Sequence, residues 1–156
     1  MEKAIFAAGC FWGVQLDFDR LDGVLSTCVG YIGGHVEDPT YEAVCTGQTH
    51  HAEAVEVTFD PDIITYAELL DFFWQRHDPT TLNRQGPDSG SQYRSAIYYH
   101  TEAQKIIAEQ SRTECDVSDL WPDPIVTEIT AAGKFWPAED YHQKYLEKRN
   151  IKISCH

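Results

Sequence analysis

Apolar residues recur along the chain with two different spacings, one typical of strands and the other typical of helices. An apolar run from Lys3 to Ala8 predicts a first strand. From Phe11 to Leu21 the apolar residues follow at close to helical spacing, and Gly23 stands where that helix would end. A second apolar run, from Val24 to Ile32, predicts another strand. The chain therefore opens with a strand, a helix and a strand.

The next segment predicts a third strand and a second helix. Residues from Glu53 to Phe59 alternate between apolar and polar from Val55 onward, which is typical of a strand with one buried face. Thr65 and Glu68 then have the spacing of a capping box. Behind them lies an apolar stripe at helical spacing, formed by Leu69, Leu70, Phe73 and Trp74.

The second half of the chain predicts two more strands and two more helices. Arg94 to His100 has the composition of a fourth strand, and Thr101 with Gln104 opens a helix that we expect to reach about Arg112. A fifth strand is predicted near Ile125 to Ile129. We expect a helix to begin after Pro137, because proline suits the first turn of a helix.

The order of these elements predicts the fold class α+β. The first half reads β-α-β-β-α-β, which is the split unit of ferredoxin-like folds. We therefore expect a two-layer sandwich in which helices cover a mixed sheet. Two long loops, 33–51 and 78–92, contain Gly, Tyr, His, Asp and Gln rather than the residues of linkers, so we expect both loops to have a function.

Length and charge narrow the class of protein. A chain of 156 residues is about one domain, and we expect a single catalytic domain, 1–148, with a tail, 149–156. The formal net charge of −13 argues against nucleic acid and anionic membranes as partners.

The opening MEKAIFAAGC is shorter than the roughly 15–30 residues of a secretory signal and has no net positive charge, so lipidation at Cys10 is disfavoured. We expect a cytoplasmic monomer.

The stretch AAGCFWG, from Ala7 to Gly13, is the first candidate for chemistry. The five cysteines of the chain are scattered without a C-x-x-C pair, a usage typical of a reducing compartment. Cys10 falls where the first strand turns into the first helix, and a helix N-terminus stabilises a thiolate. Phe11 and Trp12 would form an apolar wall beside the sulfur. A small buried cysteine is the alternative, and the residues alone leave both interpretations open.

Glu53 is the second candidate, because of its position in the third predicted strand. Strand side chains alternate between faces, so Glu53 points to the same side as Val55, Val57 and Phe59. A carboxyl group there would be desolvated, its pKa would rise, and it could act as a general acid. The alternative is that Glu53 ends the strand and bends into water, and the pattern does not decide between them.

These residues belong to a set of motifs that resembles the peptide methionine sulfoxide reductase A family. The motifs occur in the family's order and span nearly the whole chain: GCFWG (9–13), GYIGG (30–34), YEAVCTG (41–47), HAEAV (51–55), FDP (59–61), HDPT (77–80), DSGSQYRS (88–95) and FWPAEDYHQ (135–143). The resemblance implies reduction of the S-epimer of methionine sulfoxide, free or in proteins, to methionine.

The resemblance also implies roles for the residues around the sulfoxide sulfur. Cys10 matches the catalytic cysteine, whose thiolate attacks the sulfur and is left as a sulfenic acid. Phe11 and Trp12 match the aromatic wall that holds the S-methyl group of the substrate.

Four further matches concern the sulfoxide oxygen. Glu53 matches the acid that protonates this oxygen, which agrees with its strand position. Tyr41 and Tyr93 match phenols that hydrogen-bond the same oxygen, and Asp88 matches a polar group beside the site. Outside this resemblance, core packing would be the preferred interpretation of both tyrosines.

Turnover requires a second thiol to resolve the sulfenic acid. Cys155, in the closing stretch 151–156, resembles the recycling cysteine of the family, although the usual glycines around it are absent. Thioredoxin is the reductant that the resemblance implies, with dithiothreitol as its substitute in vitro and no bound cofactor. We expect Cys45 to be buried away from the chemistry, Cys28 to pack in its strand, and Cys115 to follow a helix as an exposed alternative resolver.

Two other functions remain as alternatives. A redox switch could use Cys10 without reducing a substrate, but it would have no need of Glu53 and two phenols. A zinc site is disfavoured, because the candidate ligands show no recognisable spacing: His35, Cys45, His142, Cys155 and His156.

Overall fold

The structure is a computed structural model and describes residues 1–150. Its strands are Glu2–Ala8 (β1), Val24–Ile32 (β2), Ala52–Phe59 (β3), Arg84–Gln85 (β4), Asp88–Ser89 (β5), Ser95–Tyr99 (β6), Glu128–Ala131 (β7) and Trp136–Pro137 (β8). Its α-helices are Phe11–Asp19 (α1), Tyr41–Cys45 (α2), Tyr66–Gln75 (α3), Glu102–Val117 (α4) and Tyr145–Lys148 (α5), and short 3-10 turns cover Ser91–Tyr93 and Asp140–His142.

The central sheet has the strand order β7-β6-β1-β3-β2-β8. Strands β1 and β2 are both antiparallel to β3, which lies between them, so β1 and β2 run parallel as a split pair. Strand β6 adds antiparallel to β1, and β7 adds parallel to β6, which makes the sheet mixed. The predicted ferredoxin-like core with a mixed sheet is confirmed.

The two faces of the sheet have different coverings. One face carries the larger core, in which side chains of β1, β2 and β3 pack against apolar residues of α1, α3 and α4. The opposite face carries a smaller cluster with Ile5, Tyr98 and several alanines, and the partly buried Phe135 covers it. Alternate residues of each strand thus enter different clusters, as the strand period requires. The helices lie on one side, as the predicted two-layer sandwich requires.

Two local sequence signals hold in the structure. The Thr65 hydroxyl accepts a hydrogen bond from the Glu68 N–H at 3.1 Å, and the Glu68 carboxylate accepts one from the Thr65 N–H at 3.1 Å. This capping box fixes the start of α3. Gly23 has a φ of +97° after the turn that ends α1, a conformation that L side chains rarely adopt.

Three predicted boundaries are wrong. Helix α4 continues to Val117 rather than stopping near Arg112. Strand β7 covers Glu128–Ala131 instead of Ile125–Ile129, because the Val126 N–H bonds to the Pro79 carbonyl in the loop 78–92 before pairing with β6 begins. The helix expected directly after Pro137 is absent there: Pro137 ends the edge strand β8, opposite Gly30, and the next α-helix starts at Tyr145.

The two long loops contain short elements that the sequence pattern did not predict. The first, 33–51, includes α2, which begins with Tyr41. The second, 78–92, includes the small hairpin of β4 and β5, which carries Asp88. Within residues 1–150, no helix has both the length and the hydropathy that a membrane crossing needs.

Candidate active site

Cys10 lies at the junction between β1 and α1, as predicted. It is the N-cap residue of α1, with φ −55° and ψ 118°, and Gly9 before it has a φ of +97°. The sharp turn at Gly9 brings the cysteine to the first turn of a helix, where backbone N–H groups have no partner within the helix. The residue is half-buried, so it remains within reach of a small molecule.

Glu53 faces the larger core, as the strand alternation predicted. Its side chain is 1% exposed, and its Oε1 accepts a hydrogen bond from the Phe11 N–H at 3.2 Å. Burial raises the pKa of Glu53 to about 8; the Phe11 bond opposes that rise, and the charge of Asp88 adds to it. The carboxyl group is therefore protonated at neutral pH. Its second oxygen, Oε2, is buried without a hydrogen-bond partner among the described residues.

Two phenols lie close to this carboxyl group. Tyr41 begins α2, and Tyr93 ends the 3-10 turn after the β4–β5 hairpin. Burial raises the pKa of both hydroxyls, and the negative charge of Glu53 contributes to both rises. Asp88 and Cys10 contribute further to the pKa of Tyr93. Both phenols thus keep their protons; the Tyr41 hydroxyl hydrogen-bonds the Cys45 side chain, and both hydroxyls are donors available to a substrate oxygen.

Trp12 forms a wall beside Cys10 and is held from two directions. Its indole stacks on the ring of Tyr145, with centroids 3.8 Å apart and planes 6° apart. Its Nε1–H donates to Nδ1 of His142 at 2.9 Å, and His142 is fully buried. Burial lowers the pKa of His142, partly offset by Glu139, so the imidazole stays neutral with its proton on Nε2. Phe11, also fully buried, continues the wall.

Glu139 forms hydrogen bonds with two tyrosine residues, Tyr31 and Tyr41. One carboxylate oxygen accepts a hydrogen bond from the Tyr31 hydroxyl at 2.8 Å, and the other accepts one from the Tyr41 N–H at 2.9 Å. Burial alone would raise the pKa of Glu139, but these hydrogen bonds and the nearby His142 hold it below its usual value. Of these two carboxyl groups, Glu53 is therefore neutral and Glu139 is ionised.

The family model described as peptide methionine sulfoxide reductase matches residues 2–156. The chain belongs to this family. One similar relative is the "Peptide methionine sulfoxide reductase MsrA" of Methanothermobacter thermautotrophicus, 63% identical over 99% of this chain and 91% of the relative.

Solved structures of reductases of the same family share the fold. The reduced form of Mxr1 from Saccharomyces cerevisiae superposes with a TM-score of 0.91 at 38% identity, covering 99% of this chain and 88% of Mxr1. Mxr1 in complex with Trx2 is also similar, with a TM-score of 0.66 at 29% identity, covering 92% of this chain and 84% of the Mxr1 chain.

The structure of this reductase-family chain brings most of the predicted site residues together. Glu53, Tyr41, Tyr93 and Asp88 act on one another electrostatically, and Cys10 acts on Tyr93. Phe11 packs 6.4 Å from Tyr41, centroid to centroid. Cys155 lies outside the described residues.

Two expectations about the other cysteines are wrong. Cys45 is exposed rather than buried, and its side chain shares a hydrogen bond with Tyr41 that raises the pKa of that phenol. The reason is its place in α2, one turn after Tyr41 on the same helix face. Cys115 lies inside α4 and is buried, so it is no exposed resolver. Cys28 is half-buried in β2, where packing was expected.

Sequence reasoning gave no role to two residues of the site, Glu139 and His142. Both belong to the motif FWPAEDYHQ, but their partners lie 98 and 130 residues away in the chain. The relevant signal was a group of four polar residues in a motif that also contains three aromatic residues: Glu139, Asp140, His142 and Gln143. No group of three or more His, Cys, Asp or Glu side chains in residues 1–150 has the arrangement of a metal site.

Proposed function

We propose that this chain reduces the S-epimer of methionine sulfoxide, free or within proteins, to methionine. The observation that carries the proposal is the Glu53 carboxyl group, which is buried and neutral and lies beside two phenols, with one oxygen that has no hydrogen-bond partner in residues 1–150. A sulfoxide oxygen leaves sulfur only once it is protonated, so an acid that keeps its proton at neutral pH is the group this reaction requires. Membership of the family supports the same reaction.

The proposed step transfers one oxygen atom from the substrate to the enzyme. The Cys10 thiolate attacks the sulfoxide sulfur while Glu53 donates its proton to the oxygen. Tyr41 and Tyr93 donate hydrogen bonds to that oxygen and stabilise the charge that develops on it. The protonated oxygen passes from the substrate sulfur to the Cys10 sulfur as the transient bond between the two sulfurs breaks, so methionine leaves, Cys10 becomes a sulfenic acid and Glu53 is left as a carboxylate. Phe11 and Trp12 supply the apolar surface against which the S-methyl group packs. Asp88 borders this pocket and helps to hold Glu53 in its neutral form.

Recycling then requires a second thiol and an external reductant. We assign the resolving role to Cys155, in a tail, 149–156, that follows a catalytic domain, 1–148. Its thiolate would attack the Cys10 sulfenic acid and release water as the disulfide forms. Thioredoxin would reduce that disulfide, which is supported by the complex of the related Mxr1 with Trx2. The scattered cysteines suit a reducing compartment such as the cytosol.

The test is a chiral separation of methionine sulfoxide epimers after incubation with the purified protein. One arm contains dithiothreitol, and the other contains thioredoxin, thioredoxin reductase and NADPH. We expect only the S-epimer to disappear, and we expect Cys155→Ser to work with dithiothreitol but not with thioredoxin. Cys28→Ser serves as the matched control, since Cys28 packs in β2 away from the pocket.

The outcomes separate the parts of the proposal. Loss of the R-epimer instead would overturn the stereochemistry. Full thioredoxin-dependent turnover by Cys155→Ser would overturn the resolving role. If both arms leave both epimers unchanged, the reductase activity is wrong and a redox switch at Cys10 becomes the function to test.

A further inference from the structure

The carboxylate of Glu139 joins two elements of the candidate site, β2 and α2. Its two oxygens are used separately: Oε1 accepts from the hydroxyl of Tyr31 on β2, and Oε2 accepts from the backbone N–H of Tyr41, the first residue of α2. Glu139 comes from a third segment, which follows the edge strand β8. One side chain thus ties three parts of the chain together.

The side chain that caps α2 does not accept a hydrogen bond from the Tyr41 N–H. Thr40 is the N-cap residue of α2, and its hydroxyl accepts from the Ala43 N–H at 3.2 Å. The Tyr41 N–H is a separate donor, and within the described residues its hydrogen bond goes to Glu139. A bond from a backbone N–H to an ionised carboxylate is among the stronger hydrogen bonds in proteins. It fixes the main chain at Tyr41, from which the phenol extends.

The hydrogen bond to Tyr31 also connects Glu139 to residues of the candidate site. Tyr31 is fully buried and lies directly opposite Glu53 in the register of β2 and β3. Its ring packs 5.7 Å from that of Phe11, centroid to centroid. The Tyr31 side chain therefore stands between the neutral carboxyl group of Glu53 and the ionised one of Glu139, and its hydroxyl anchors the latter.

The ring of Tyr41 packs against those of Phe11 and His142, but among the described residues the loop that carries α2 has few other long-range hydrogen bonds near Tyr41. Its beginning is held by the His51 side chain, which contacts Gly34 and Val36, and its end is held by a 3.4 Å hydrogen bond from Gln92 to the Cys45 carbonyl. Between these points, Glu139 provides the hydrogen bond that reaches Tyr41 from outside the loop.

We propose that Glu139 is a positioning residue for sulfoxide reduction, whose carboxylate holds the Tyr41 segment against β2 so that the Tyr41 hydroxyl reaches the sulfoxide oxygen. The inference rests on the proposed function and goes beyond it by naming a residue that acts through Tyr41. A displacement of about 1 Å in a positioned group can reduce a rate up to a hundredfold. Glu139→Gln removes the charge and turns an amide NH₂ toward one of the two donors, so Tyr41 should shift by a fraction of that distance.

The experiment measures the rate of methionine formation in a single turnover without recycling, at saturating substrate. Glu139→Gln is made in the wild-type chain and again in the Tyr41→Phe background. We expect about a tenfold loss in the first case and almost none in the second, because Glu139 has nothing left to position once the hydroxyl is gone. Asp140→Asn is the matched control: it removes a neighbouring, exposed carboxylate and should leave the rate unchanged.

A purely structural role for Glu139 predicts a different pattern. A variant that lowers the fraction of folded enzyme lowers the rate by the same factor in both backgrounds, and that result would overturn the inference. A wild-type rate for Glu139→Gln would overturn it as well. If wild type itself makes no methionine, the proposed function has failed rather than the role of Glu139.

A second variant keeps the test decisive if Glu139→Gln does not fold. Tyr31→Phe removes the hydroxyl that anchors Glu139 but leaves the aromatic ring in the core. We expect a threefold to tenfold loss that again vanishes in the Tyr41→Phe background. An equal loss in both backgrounds, or no loss, would contradict the proposed coupling through Tyr41.

Discussion

Burial of the Glu53 carboxyl group should make the stability of the protein depend on pH in an unusual direction. The pKa of this group rises from 4.5 to about 8 on folding. Between these values the folded chain holds a proton that the unfolded chain has lost. The free energy of unfolding therefore falls as the pH rises, by about 1.4 kcal/mol for each pH unit. At pH 7 the loss amounts to about 3 kcal/mol, and above pH 8 it levels off near about 5 kcal/mol.

Glu53→Gln provides the comparison, because its amide has nearly the same shape and does not ionise. Its oxygen can still accept from the Phe11 N–H, and its NH₂ group would occupy the position of Oε2, which has no hydrogen-bond partner in the part of the chain that the structure describes. We expect the two proteins to be about equally stable near pH 4. At pH 7 the variant should be more stable by about 3 kcal/mol. Urea unfolding curves measured at half-unit steps from pH 4 to 9 give this difference directly.

The same substitution should lower the activity at pH 7 although it raises the free energy of unfolding. Glu53→Gln has no proton to donate, so sulfoxide reduction should slow by about a hundredfold or more. The wild-type single-turnover rate should fall as the pH rises through about 8, where Glu53 ionises. A stability difference that stays constant from pH 4 to 9 would refute the reasoning, because it would mean that Glu53 is ionised in the folded protein at neutral pH.

Two further substitutions test the scaffold. Thr65→Ala removes the side chain that caps α3, and we expect a loss of about 1 kcal/mol, measured by urea unfolding, with activity unchanged. A Cβ at Gly34 would lie 2.3 Å from the carbonyl oxygen of Thr49 and 2.5 Å from a second backbone atom, so Gly34→Ala should cost about 1–3 kcal/mol. Gly133→Ala is its control, since a Cβ there meets nothing within 4 Å, and equal effects of the two would contradict the steric argument.

Local patterns predicted the parts of the site that depend on local structure. The alternation in β3 places Glu53 on the buried face, because a strand has a fixed period of two. The position of Cys10 follows from an apolar strand, a glycine and a helix in immediate succession. The capping signal at Thr65 also depends only on residues within one turn. In each case the physical cause lies within a few residues of the effect.

The features that sequence reasoning missed depend on contacts between distant segments. Pro137 suits the first turn of a helix, but it is equally tolerated in an edge strand, and pairing with Gly30 decides between them. The hydrogen bonds of Glu139 and His142 join residues about one hundred positions apart, and no periodicity records them. The roles of Tyr41 and Tyr93 came from family resemblance, since a tyrosine in a loop has no distinctive local pattern.

The far separation of Trp12 and His142 has a consequence for the protein while it is being synthesised. Trp12 lies two residues after Cys10, whereas the histidine that accepts its indole N–H is translated 130 residues after Trp12. At about 5–20 residues per second, the interval is on the order of 10 s. During that time the nascent chain contains Cys10 and Trp12 without the histidine that fixes the indole. The proposed catalytic cysteine is therefore among the first residues of the site to be synthesised, and its surroundings are completed only near the end of translation.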